Sequence, residues 1–167
     1  MPATFNFAQT IGAPAGTRQD LGSSGNLLNF KNVDSIGTSD YASNPIAAGN
    51  ASYELWLQGH FTGTFNSISD VRFWMSTNFS PSTGLSVKLR SNQTSYVQPV
   101  NSVSSIATST ISSSDPGTTN VSISGSLSSS LSTSGYTDYL VMQLQTTASA
   151  PAGDTSLAVF TLSYLEN

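Results

Sequence analysis

The 167 residues suffice for one domain with a real core and are too few for two of ordinary size. Charged residues make up only 8%, against about 25% in a typical soluble domain. The five basic residues (Arg18, Lys31, Arg72, Lys88 and Arg90) are scattered, so no basic patch exists to release counterions from nucleic acid. There is no cysteine, which excludes disulfides and thiolate metal sites, and no apolar run approaches the length of a membrane-spanning helix.

Solubility must then come from hydroxyls and amides: 32 serines and 19 threonines are present. Such a surface can pack against a neighbour without burying ions, which is costly. An aromatic content of 10% and several dense apolar runs argue against disorder. The first residues carry neither a basic start nor an apolar run of signal-peptide length, so synthesis and assembly in the cytoplasm are expected.

Along the chain the pattern is of short alternating runs separated by Gly, Pro, Asn, Asp and Ser, without helical periodicity. Thr4 to Gln9 alternates Phe5 and Phe7 with polar or small residues, and reads as a first strand or as an arm reaching a neighbour. Leu27 to Val33 is a second candidate strand, followed by a polar loop from Asp34 to Asn50. Tyr53 to Phe61 is the clearest strand. Tyr53, Leu55, Leu57, Gly59 and Phe61 share one face, and Glu54, Trp56, Gln58 and His60 share the other.

Ser69 to Ser76 follows, with Val71, Phe73 and Met75 opposite Arg72 and Trp74. Phe79 to Gly84 reads as a turn, and Leu85 to Arg90 alternates cleanly. Residues 102–134 hold 20 Ser or Thr in 33 positions. We read them as structured, because Val121, Ile123, Gly125 and Leu127 alternate with serines and Asp115-Pro116-Gly117 makes a turn. Tyr139 to Met142 is apolar on both faces, as in a central strand. After a turn at Ala150 to Asp154, Leu157 to Leu165 places Ala158, Phe160, Leu162 and Tyr164 on one face. These last two runs suggest a hairpin in the middle of a sheet. The whole predicts an all-β antiparallel sandwich of jelly-roll or immunoglobulin-like topology. Residues 1–50 would supply an arm, first strands and a loop, and residues 51–167 the main sandwich.

The chemistry-bearing residues are few. A Ser-His-Asp triad would have to use His60, the one histidine, but serine is too abundant for a nearby one to signal anything, and no Gly-x-Ser-x-Gly elbow is present. Most of the nine carboxylates sit at turn positions, where Asp binds its own backbone. Asp34 and Asp40 share a loop and have the oxygens for calcium, without EF-hand spacing. Four Asn-x-Ser/Thr triplets, at Asn50, Asn78, Asn92 and Asn120, are about what this composition yields by chance. No cofactor, metal or catalytic residue is expected. Trp56 and Trp74 lie opposite the apparent core face. They are either core beneath a second layer, anchors of a subunit interface, or a sugar-binding platform.

The run Ser52 to Asn66, continued by Ser67 to Trp74, Tyr96 to Val100, Asp138 to Leu144, Pro151 to Asp154 and Thr161 to Tyr164, resembles small structural proteins of tailed bacteriophages, of the decoration or cement type. It covers residues 50–167 and rests on ordered strands and turns, with no catalytic signature. The resemblance implies a sandwich-like subunit on the outer capsid surface. Its partners would be the major capsid protein and copies of itself, as a homotrimer, with neither nucleic acid nor membrane. Phe5, Phe7, Trp56 and Trp74 are then candidate interface residues. A tail, baseplate or fibre module, or a carbohydrate-binding module, is the alternative.

Overall fold

The computed structural model describes residues 2–22, 28–37, 42–123, 125–128 and 132–167. Among them the chain forms nine strands and no helix: β1 (Thr4–Ile11), β2 (Thr17–Asp20), β3 (Leu55–Phe65), β4 (Ile68–Thr77), β5 (Leu85–Gln93), β6 (Ser109–Thr110), β7 (Ser132–Tyr136), β8 (Tyr139–Thr146) and β9 (Val159–Glu166). All pairings are antiparallel. The large sheet runs β2-β1-β3-β8-β5-β6, with β7 also on β3, and β4-β9 forms a two-stranded second layer. The chain is therefore the β-sandwich its alternation predicts, with its strands divided unevenly between the layers.

Period-2 alternation fixes what lies between the sheets. Leu55, Leu57 and Phe61 of β3, Leu140, Met142 and Leu144 of β8, and Val87 of β5 meet Val71, Phe73 and Met75 of β4. Ala158, just before β9, and the side chains of Phe160, Leu162 and Tyr164 in it complete the layer, as their shared face requires. Described residues among the first 50 contribute to this same core. β1 zips to β3 from Thr4↔Thr62 to Thr10↔Trp56, and Leu21 is buried.

β7 and β8 are one strand interrupted at Thr137–Asp138. His60 pairs with Tyr136 and Leu57 with Leu140, so one extra residue is inserted opposite β3. Thr137 holds this bulge: its N–H donates to Gly59 O at 2.9 Å, and its Oγ1 accepts from Gly59 N–H at 2.8 Å. The inserted residue reverses the side-chain parity, which turns Leu140 and Met142 into the core and Tyr139, Val141 and Gln143 outward.

Several sequence expectations change. Residues 28–33 form no strand, although Leu28 and Phe30 lean on the core and Lys31 O accepts from Tyr53 N–H; Leu27 lies outside the described residues. The alternating run from Val121 is not a regular strand. It makes one bridge, Ile123↔Thr137, then turns, with Val121 and Leu127 buried. β8 and β9 do not form a hairpin: β8 is central in the large sheet and β9 crosses to pair with β4.

Candidate functional site

The outer face of the large sheet is covered over part of its area. Trp56 points away from the main core as its parity predicts, yet it is 0% exposed. It packs with Tyr139, Val141 and Ala107, with Tyr96 and Ile106 leaning in, as a second small core beneath residues 94–107. Tyr96 and Tyr139 stand edge-on to its indole at 5.3 and 5.5 Å. Trp56 is therefore core and not an interface anchor.

A buried hydrogen-bond network fastens this covering segment. Glu54 is buried, and its carboxylate accepts from Trp56 Nε1–H at 3.2 Å and from the Ser104 hydroxyl. Ser104 Oγ in turn accepts from the N–H groups of Ile106 and Ala107. Gln143 is fully buried: its Oε1 accepts from Ser104 N–H, and its Nε2 donates to Ser52 O and Ser102 O. Backbone pairing of Glu54 N–H with Val100 O completes the attachment. The side-chain polar atoms of Glu54, Ser104 and Gln143 thus all have partners, and unpaired they would each cost about 1–3 kcal/mol.

This fastening displays Val97, Val100 and Val103 outward, 43%, 41% and 73% exposed. No charged residue occurs between Arg90 and Asp115. The result is three exposed valines on an uncharged segment held by buried hydrogen bonds, apolar side chains that a contact with another protein would cover.

A further array, which the sequence did not disclose, centres on His60. Both carboxylate oxygens of Asp20 stand 2.9 Å from His60 Nδ1, and His60 Nε2 stands 3.1 Å from Ser134 Oγ. The Asp20 carboxylate can only accept from Nδ1–H, and Ser134 Oγ stands within hydrogen-bond distance of Nε2. The Tyr136 ring stacks on His60 at 4.2 Å, and the Arg18 guanidinium lies 4.2 Å over Tyr136. The order of atoms is that of a nucleophilic triad, but the setting differs. His60 and Ser134 lie on adjacent paired strands of a sheet surface. Two surface hollows, of about 340 and 520 Å³, are lined by other residues. The array ties β2, β3 and β7 together across β1. His60 does face outward with Trp56 and Gln58, but its side chain is only 12% exposed.

The remaining candidates separate. Phe5 and Phe7 belong to β1, inside the large sheet, and spend their rings on this chain's own core. Phe5 meets Phe61 at 5.2 Å and Phe7 meets Phe73 at 5.8 Å, so these residues form no arm toward a neighbour. Trp74 is half-buried on the outer side of β4, opposite Thr161. Asp34 accepts from Gly12 N–H at 2.7 Å, and burial raises its carboxyl above the usual range. Asp40 lies outside the described residues, and among those described no three His, Asp or Glu gather as a metal site would require. Burial is also the main cause that raises the Tyr96 phenol, with Asp34 and Tyr139 adding to it, and its O–H donates to Gly12 O at 2.5 Å. No family model, no curated protein and no solved structure matches this chain.

Proposed function

We propose that the chain is a structural component of a virus particle, a decoration or cement protein that binds the outer capsid surface and stabilises the shell without catalysis. The observation that carries this reading is the exposure of Val97, Val100 and Val103 on a segment locked down by Glu54, Ser104 and Gln143. A rigidly held, uncharged patch docks with little loss of side-chain entropy and without desolvating ions, the two main costs of association. Many copies on a lattice then turn a modest single contact into a strong collective one. The resemblance of residues 50–167 to phage structural proteins points the same way. The partners are the major capsid protein and further copies of the chain, in the homotrimer that the resemblance implies.

The test is binding of the purified protein to undecorated shells of the virus that encodes it, followed by imaging of whole particles. The triple variant Val97→Asp, Val100→Asp, Val103→Asp should lose binding by roughly tenfold or more, because each carboxylate would have to be desolvated in the contact. Unchanged binding by a folded triple variant removes the reading. Density along a tail instead of on the capsid lattice moves the same subunit to a tail or fibre.

A further inference from the structure

A β-sheet edge exposes unpaired backbone donors and acceptors, and proteins usually blunt it with brevity, charge, proline or a bulge. Among the described residues, the two end strands of the large sheet and one side of β4 are handled in such ways. β2 has four residues and carries Arg18 and Asp20, and β6 has two residues. The free side of β4 is capped by the segment after β6: Asn120 Oδ1 accepts from Phe73 N–H, Asn120 Nδ2 donates to Phe73 O, and Ser112 O accepts from Met75 N–H.

The outer side of β9 has none of these devices from Val159 to Leu165. Among the described residues it pairs with β4 alone, and over that span it carries no charge and no proline. Both irregularities in the β4–β9 ladder place the extra residues on β4, so β9 itself stays regular. The core also opens at this edge. Val71, Phe73 and Met75 of β4 are buried, whereas Phe160, Leu162 and Tyr164 of β9, on the same inner layer, are only half-buried. On the outer side Val159 and Leu165 are 48% and 54% exposed.

The sequence of this edge identifies its occupant. Val159-Phe160-Thr161-Leu162-Ser163-Tyr164-Leu165 reads the same in chemical class in both directions about Leu162. We propose that two copies of the chain pair through antiparallel β9 strands about a two-fold axis at Leu162, joining their small sheets into one of order β4-β9-β9-β4. In that register Val159 meets Leu165 of the second copy, and Thr161 meets Ser163, on the outer face. Phe160 meets Tyr164 and Leu162 meets Leu162 on the inner face. Every position finds its own class, each residue keeps its face, and Glu166 lies opposite Ala158 instead of another carboxylate. A self-complementary edge of this kind is what a two-fold contact demands. The contact uses none of Val97, Val100 or Val103, so it stands or falls separately from capsid binding.

The test exploits the absence of native cysteine. Chains carrying Val159→Cys and chains carrying Leu165→Cys are treated with a short bismaleimide, separately and mixed. The mixture should yield a covalent dimer at twice the 17.5 kDa chain mass, with several-fold less from either variant alone. Equal cross-linking by one variant alone, or none in the mixture, overturns the register. Independently, Thr161→Lys with Ser163→Lys brings four ammonium groups together on the outer face and should weaken self-association by roughly tenfold or more. Mixing that variant with Thr161→Glu, Ser163→Glu should restore it. Far-UV circular dichroism and an unchanged denaturant midpoint confirm that each variant is folded. A native chain that is monomeric at tens of micromolar overturns the proposal, as does an assembly that the lysine variant leaves unchanged.

Discussion

At Asp34 burial raises the carboxyl, while the Gly12 N–H and the Lys31 charge pull against it. A raised carboxyl binds its proton more tightly in the folded chain than in the unfolded one. Its contribution to stability is therefore greatest at low pH and is lost as pH rises above the ordinary value of 3.8. Asp34→Asn keeps an acceptor for Gly12 and removes the buried charge. Urea titrations across pH should show the variant gaining on the native chain as pH climbs from 3.8 to neutrality, and a constant difference would refute this assignment. At Ser104 one hydroxyl serves Glu54, Ile106 and Ala107. Ser104→Ala should cost about 1–3 kcal/mol, since it strips a buried carboxylate of a donor. Amide exchange at Ile106 and Ala107 should quicken well beyond that of β3. None of this was legible beforehand. Glu54 reads only as a polar position on a strand, and its partner stands 50 residues away in a tract where serine is the commonest residue. The Asp20–His60–Ser134 array was hidden for the same reason, with three strands each contributing one unremarkable residue.

Elements whose alternation is strict were read correctly: β3, β4, β5 and β9 appear with the faces assigned to them, because a period of two with large apolar side chains allows one buried side. Errors fell where a strand's partner is decided by distant residues. The run from Val121 alternates as well as β5 does, but it is drawn into a bridge with the Thr137 bulge and then turns. The Leu28 and Phe30 segment supplies side chains to the core without joining a ladder. Close approach also fixes elements at two glycines. A Cβ on Gly84, whose φ is +72°, would stand 2.8 Å from Ala150 N, and one on Gly135 would stand 2.5 Å from Leu127 Cδ2. Gly84→Ala meets backbone and a left-handed conformation together, so it should lower stability by about 1–3 kcal/mol. Denaturant unfolding should show a lower midpoint at an unchanged slope, and a neutral result would mean that the 84–85 turn can move away from Ala150.

For the molecule as a whole, connectivity sets the folding speed. β1 must find β3 more than 40 residues later, and β3 must find β8 more than 70 residues beyond that. Chains dominated by such distant pairings fold on the millisecond-to-second scale, roughly, and stopped-flow fluorescence of Trp56 as it enters its small core should report that range. The sandwich class was legible at this scale, since regular strand spacing without helices leaves few other arrangements. The uneven division into a broad layer and a two-stranded one was not, because it depends on β9 choosing β4 over β8.

The stretch between Arg90 and Asp115, with no ionic group in it, has a consequence for where such a subunit can serve. Dissolved ions weaken attraction between charges, over a Debye length that shrinks from about 10 Å at 0.1 M to about 3 Å at 1 M, and have little hold on contacts made by methyl groups and hydroxyls. Attachment through Val97, Val100 and Val103 should thus be as firm in brine as in fresh water.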